Sequence, residues 1–244
     1  MFRLLFVLTA IAVYIPDAAA QTAGSSQSPQ AGDLVTVVAG RYHQPAGPYA
    51  ALYNGAEHID YDPRMIGSAY FGDNDWKKGS VYYNNVLFTN VSLKFDLVRS
   101  KLVVLHHNQF YKLELVDAFL DSFSVDGQSF IKLRDKEVPS PPAPGFYHRL
   151  VQGPVTVLVR REKIVREFID GMELKREINE KYSYYLLKEG TYYAIDKQRD
   201  LLSLMGDDKK EVQQQWRAAG IKFRRQKEAA IVRAAQYYNQ LNPR

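Results

Sequence analysis

The chain has 244 residues, with 32 Lys+Arg against 27 Asp+Glu and a net charge of +5. It contains no cysteine, which excludes thiol nucleophiles, thiolate zinc sites, iron–sulfur clusters, redox dithiols and lipidation at a cysteine. The charge excess is local: residues 201–244 hold 9 basic and 4 acidic side chains, whereas residues 1–200 hold 23 of each.

Met1-Phe2-Arg3 supplies one positive charge, Leu4 to Ile15 is apolar, Pro16-Asp17 breaks the run, and Ala18-Ala19-Ala20 offers small residues. Charge, apolar stretch and small-residue site in that order predict a signal peptide over residues 1–20, cleaved after Ala20. The apolar run has 12 residues, short of the roughly 20 that a membrane span needs. Export would permit disulfides, but the chain has no cysteine, so stability has to come from the core alone. A mature chain of about 220 residues can bury roughly 70–75% of its unfolded surface. A bacterial envelope protein, periplasmic or secreted, is the expectation.

Residues 21–33 are small, polar and low in complexity, and read as a flexible leader. Leu34 to Ala39 is a candidate first strand. Arg41 to Tyr49, broken by Pro45, Gly47 and Pro48, reads as loop. From about Gly67 the pattern turns to β. Ser80 to Tyr83 and Val86 to Phe88 flank Asn84-Asn85, a two-residue turn. Val91, Leu93, Phe95 and Leu97 alternate strictly and share one face. Arg99-Ser100 and Asn108-Gln109 are further turns, and Asp126-Gly127 is the strongest hairpin signal in the chain. Residues 138–145 hold four prolines and are expected to form an exposed, extended loop. Strands then resume at Phe146 to Val151, Val155 to Val159, Ile164 to Ile169, Tyr182 to Lys188 and Tyr192 to Ile195, the last two around Glu189-Gly190.

From Asp196 the period changes. Leu201, Leu202, Leu204 and Met205 predict a short helix ending near Gly206. Asp207-Asp208 suits the start of a second helix, with Val212, Trp216 and Ala219 on one face and Gly220 at its end. Gln226 to Leu241 is the clearest helix, with Ile231, Ala234, Ala235, Tyr238 and Leu241 as its apolar stripe. Strands followed by helices argue α+β: an antiparallel meander over residues 34–196, curved or half-barrel in form, with two or three helices from 197–244 packed on it in the same domain.

The densest group of potential ligands is Glu57, His58 and Asp60. Imidazole and carboxylates can bind a divalent metal, or serve a hydrolase. The segment lacks a second histidine at metal-site spacing, and polar loop residues before Pro63 are the simpler explanation, so no metal is assigned. His106-His107 on a strand would point to opposite faces, so a hairpin end with polar side chains is the expectation there, and His148 stands alone. No nucleophile elbow, Ser-x-x-Lys, triad order or phosphate-cradling glycine motif occurs, and no catalytic residue or cofactor is assigned. Tyrosine pairs at residues 82–83, 184–185, 192–193 and 237–238 suit half-buried positions, with one member facing out. Asn90-Val91-Ser92 is a glycosylation sequon, relevant only in a eukaryotic secretory pathway.

Lys222, Arg224, Arg225, Lys227 and Arg233 cluster at the start of the last helix. A basic excess often accompanies nucleic acid, but none is expected on an exported chain. Anionic headgroups, envelope glycan or an acidic partner protein are the fitting counterparts, and a solvated helix face explains the same residues.

The run Gly79-Ser80-Val81-Tyr82-Tyr83, the alternation Val91 to Leu97, Leu102-Val103-Val104 and the ending Tyr237-Tyr238-Asn239 resemble exported β-rich proteins of gram-negative bacteria. The resemblance spans roughly residues 65–241. It implies envelope location and no catalytic residues. The functional expectation is a non-enzymatic envelope module for binding or scaffolding. The alternatives are a periplasmic carrier of apolar ligands and a hydrolase near Glu57, His58 and Asp60; peripheral membrane contact through residues 221–244 is a third reading.

Overall fold

A computed structural model describes residues 47–134 and 142–243. The expected signal peptide, leader and first strand lie outside the described residues, as do residues 138–141 of the proline-rich loop. The strands are β1 (Ala56–Glu57), β2 (Lys77–Tyr83), β3 (Val86–Asp96), β4 (Lys101–Leu105), β5 (Lys112–Glu114), β6 (Leu120–Val125), β7 (Gln128–Leu133), β8 (Gly145–Val151), β9 (Val155–Asp170), β10 (Glu173–Lys188) and β11 (Thr191–Ala194). They form one open sheet in the order β1-β5-β4-β3-β2-β6-β7-β8-β9-β10-β11, with antiparallel ladders throughout. Three helices follow: α1 (Gln198–Leu204), α2 (Lys209–Ala218) and α3 (Lys227–Leu241). The fold is α+β.

The turns follow from residues that tolerate positive φ. Asn84 and Asn85 have φ of 50° and 63°, Asp126 and Gly127 51° and 72°, Glu189 and Gly190 51° and 76°. Two consecutive left-handed residues match the twist of the flanking strands. In β3 the expected face is buried, with Val91, Leu93, Phe95 and Leu97 all at 6% exposure or less. Phe95 stands 5.0 Å from Phe123, 5.2 Å from Phe130 and 5.8 Å from Phe146, ring centroid to centroid. Phe146 is on β8, four places from β3 in the sheet order, so the sheet curls about this aromatic cluster. Leu52, from a short 3-10 turn at Gly47–Tyr53, fills it from one side. That turn replaces the loop expected up to Tyr49: Pro48 fixes the φ a helical start requires.

The second cluster lies under the helices. Val155, Val157, Val159, Tyr184 and Leu186 of β9 and β10 pack against Leu201, Val212, Trp216, Ala230, Ile231, Ala234 and Ala235. Small side chains let α3 approach closely, and Asn239 locks it, accepting from the Val155 amide and donating to the Val155 carbonyl, each at 2.8 Å. Gly153 permits this contact, since a Cβ there would lie 2.4 Å from Asn239 Nδ2. Two residues expected on apolar stripes are exposed: Ala219 follows the end of α2, and Leu241 is the last residue of α3.

The largest departure from expectation is the β9–β10 hairpin. Val155–Asp170 form one continuous strand, and β10 begins nine residues before Tyr182, at Glu173. The charged stretches at 160–163 and 173–181 interrupt the apolar pattern. They nevertheless pair across the hairpin, Arg176 Nε donating to Glu167 Oε1 at 2.8 Å, where the strands project beyond the core.

Candidate functional site

Residues 55–76 form a strap over the side of β3–β5 that carries Lys94, Lys112 and Glu114, and its Phe71 reaches back into the aromatic core. Its backbone is tied to β3 by Phe71 N donating to Phe95 O at 2.8 Å and Leu97 N donating to Ala69 O at 2.9 Å. Ile66 bridges the strap to β10, through bonds of 2.9 Å with Arg176 O and Ile178 N. Lys163, buried on β9, donates to the carbonyls of Ser68 and Tyr70 at 2.8 and 2.7 Å.

Beneath the strap lies a connected polar group. His58 is 4% exposed. Its Nδ1 is 2.8 Å from Glu114 Oε1 and its Nε2 is 2.8 Å from the Tyr70 hydroxyl. Arg99 donates to the Ile59 carbonyl at 2.8 Å, stands 3.8 Å from Glu114, and lies over the Tyr61 ring at 4.4 Å. Asp96, fully buried, accepts from the amides of Val98 and Arg99 at 2.9 Å and from the Tyr61 hydroxyl at 2.8 Å. Its carboxylate therefore closes the β3–β4 turn as well as anchoring the strap. Burial, then the carboxylates of Asp60 and Asp96, pushes the Tyr70 hydroxyl up to about 12; Tyr61 is pushed up further by burial and its bond to Asp96. Both phenols are neutral hydrogen-bonding groups at ordinary pH, not nucleophiles.

The three residues singled out by sequence part company here. His58 enters the polar group. Glu57 pairs in β1 opposite Leu113 and is exposed. Asp60 is exposed and forms an ion pair with Lys112. Among the described residues no group of three or more histidine, aspartate or glutamate side chains is gathered closely enough to hold a metal ion. Glu114, Tyr70, Asp96 and Arg99 were not singled out, because their distance from His58 in the chain hides the contact. His106 and His107 stand at the hairpin end expected for them: β4 ends at Leu105, and the two rings lie 4.0 Å apart beside Tyr53.

His148, on β8, belongs to a second buried group. Nε2 is 2.8 Å from Gln128 Oε1, Nδ1 accepts from Arg161 Nε at 3.1 Å, and the ring stacks on Phe130 at 4.8 Å. Arg161 in turn makes two bonds to Glu228 on the first turn of α3, at 2.8 and 2.9 Å. Burial, then the neighbouring Arg161 guanidinium, lowers His148 to about 4.

The basic residues near α3 divide. Gly220, at φ 65°, ends α2: Ile221 N donates to Trp216 O at 2.8 Å and Gly220 N to Arg217 O at 3.2 Å, the paired closure of a Schellman motif. Phe223 is then anchored against Trp216 at 5.9 Å, so Lys222, Arg224 and Arg225 are held outward and exposed. Lys227 lies 5.1 Å above the Tyr184 ring. Lys197 and Arg199 line the same hollow as Arg224 and Lys227, and Arg217 lines the adjoining one with Lys222 and Arg225. Among the described residues, Lys197, Arg217, Lys222, Arg224, Arg225 and Lys227 have no carboxylate within 4.0 Å. Arg233 faces away from this set and donates to Gln215 on α2 at 3.1 Å.

No helix among the described residues is long and apolar enough to cross a membrane. No family model matches this chain, and comparison with curated proteins and with solved structures returned no match.

Proposed function

We propose that this protein is a non-enzymatic, exported envelope module whose β-rich body presents a basic turn to anionic lipid headgroups. The exposed cations Lys222, Arg224 and Arg225 between α2 and α3 carry this reading. Lys197, Arg217 and Lys227 flank that turn, and the six cations outnumber Asp196 and Glu228, the acids that border the same hollows, a balance that favours an anionic partner. The apolar stripe of α3 is spent on β9, so the contact is electrostatic and peripheral rather than an insertion. The export assignment rests on residues 1–20.

The two alternatives find less support. A carrier of apolar ligands needs a large continuous apolar hollow, but the space on the curled face of the sheet is filled by its own phenylalanines, and the broad hollow beside the β9–β10 arm is rimmed by Asp62, Arg64, Glu173, Lys175 and Arg176. A hydrolase at His58 needs an ionisable nucleophile or an accessible water beside the ring, but the ring is buried and its hydroxyl neighbour is the Tyr70 phenol, pushed up to about 12.

Flotation of residues 21–244 with phosphatidylglycerol vesicles tests the reading. Each basic residue near an anionic surface contributes about 1 kcal/mol, so the triple variant Lys222→Glu/Arg224→Glu/Arg225→Glu is expected to bind at least about a hundredfold more weakly. Binding should vanish at high salt and be absent from phosphatidylcholine vesicles. Failure of the wild type to float with phosphatidylglycerol at low salt overturns the proposal.

A further inference from the structure

Between the strap and the sheet lies a pocket of about 280 Å³, walled by Tyr70, Met65, Asn74, Asp60, Lys94 and Lys112. Lys94 rises from β3 into it. Strict alternation puts Leu93 and Phe95 in the core and turns Lys94 to the strap side, where it is half-buried. Its ammonium lies 5.0 Å from the centre of the Tyr70 ring and 4.7 Å from that of Trp76. Among the described residues no carboxylate lies within 4.0 Å of this ammonium and it donates no hydrogen bond. Lys112, on the same wall, is already matched by Asp60. Burial, then the charge of Lys112, draws the Lys94 ammonium below its ordinary value, and the more distant carboxylates of Asp60, Asp75 and Asp73 offset this only in part.

The walls are fixed before any ligand arrives. Tyr70 is held by His58, the Ser68 and Tyr70 carbonyls by Lys163, and the strap backbone by β3. A preformed pocket spares its ligand the ordering cost of binding. Its volume is just below the roughly 300–1,000 Å³ of drug-sized sites, so the occupant is small. One unpaired ammonium matches one negative charge. Asp60 and Asp62 border the same space, which disfavours a dianion and supplies acceptors for hydroxyl groups.

We infer that this pocket binds a small hydroxylated monocarboxylate of sugar-acid size, its carboxylate on Lys94 beside Tyr70 and its hydroxyls toward Asp60, Asp62 and Asn74. The site is remote in the chain from the basic turn and independent of it, so loss of vesicle binding leaves it untouched.

Two readouts test it. Amine acylation followed by mass spectrometry gives the labelling rate of each lysine, with gluconate, glucuronate, glucose or inorganic phosphate present. A carboxylate at ten times its Kd leaves about one site in eleven free, so Lys94 labelling is expected to slow about tenfold with gluconate or glucuronate, and not with glucose. Thermal unfolding is expected to rise with the same two acids in the wild type and in Lys94→Arg, and not in Lys94→Met. Protection of Lys94 by neither acid at about 10 mM, weaker than any useful small-ligand affinity, overturns the inference. So does protection by phosphate equal to that by the acids, or an undiminished thermal shift in Lys94→Met.

Discussion

His58 and His148 are each 4% exposed, and each has both ring nitrogens engaged, yet their surroundings are opposite. His58 meets a carboxylate, Glu114, at 2.8 Å and the Arg99 guanidinium at a longer 3.4 Å on one side, and a hydroxyl on the other. His148 meets an amide, Gln128, and a guanidinium, Arg161, and lies flat on Phe130. The carboxylate that would balance a charged His148 is one residue further out, on α3, and is already held in two bonds by Arg161. Equal burial thus imposes different demands on charge. The strap is pinned by an imidazole set against an acid, whereas α3 is pinned through an imidazole that has to stay neutral.

The strongest way to break this contrast is to remove the ring beneath His148. Phe130 is 1% exposed and also packs on Phe123 at 4.8 Å and Phe71 at 5.1 Å. Phe130→Ala is expected to cost about 3–5 kcal/mol in urea unfolding, with His148 titrating closer to its ordinary value as water enters. A loss under about 1 kcal/mol would show that the aromatic cluster relaxes freely and that the ring does not hold His148 dry.

A change of pH reaches the same contrast more gently. His148 is lowered to about 4 when folded, against about 6.5 in the unfolded chain. Between those values the unfolded state holds more protons, so stability rises with pH. The contribution is complete above about pH 6.5 and is lost as pH falls toward 4. Unfolding free energies at pH 7 and pH 4, wild type minus His148→Gln, are expected to converge by about 2–3 kcal/mol. Parallel curves for the two proteins would mean that His148 charges in place.

The parts legible in the sequence were those written in neighbouring residues. Asn84-Asn85, Asp126-Gly127 and Glu189-Gly190 announce their turns through residues that accept positive φ, and the Val91 to Leu97 alternation announces its buried face. The distal β9–β10 arm was not legible, because residues 173–181 carry the charges of a solvated strand and no apolar period. The two histidine groups were hidden for another reason. His58 and Glu114 are 56 residues apart and Arg161 and Glu228 are 67 apart, and only the β1–β5 pairing and the docking of α3 bring them together. Lys94 alone left a local trace, a cation on the strap-side face of a strand whose other face is wholly core.

The gentlest alteration exchanges the partners instead of removing them. Glu114→Gln gives His58 the kind of neighbour that His148 already has. The two side chains are nearly the same shape, so packing is preserved and only the charge of the acceptor changes. A bond to a charged group contributes about 1.5–3 kcal/mol, and a neutral one about 0.5–1.5. Glu114 keeps 21% of its side chain in solvent, which pulls the difference toward its lower end. Glu114→Gln is therefore expected to lower stability by about 1 kcal/mol, read as a shift of the urea midpoint with unchanged slope. The reciprocal Gln128→Glu places a carboxylate 2.8 Å from His148 Nε2 and is expected to raise the pH at which that ring titrates. If Glu114→Gln unfolds at the wild-type midpoint, the charge of Glu114 adds nothing at His58, and the two histidines differ in neighbours but not in energetics.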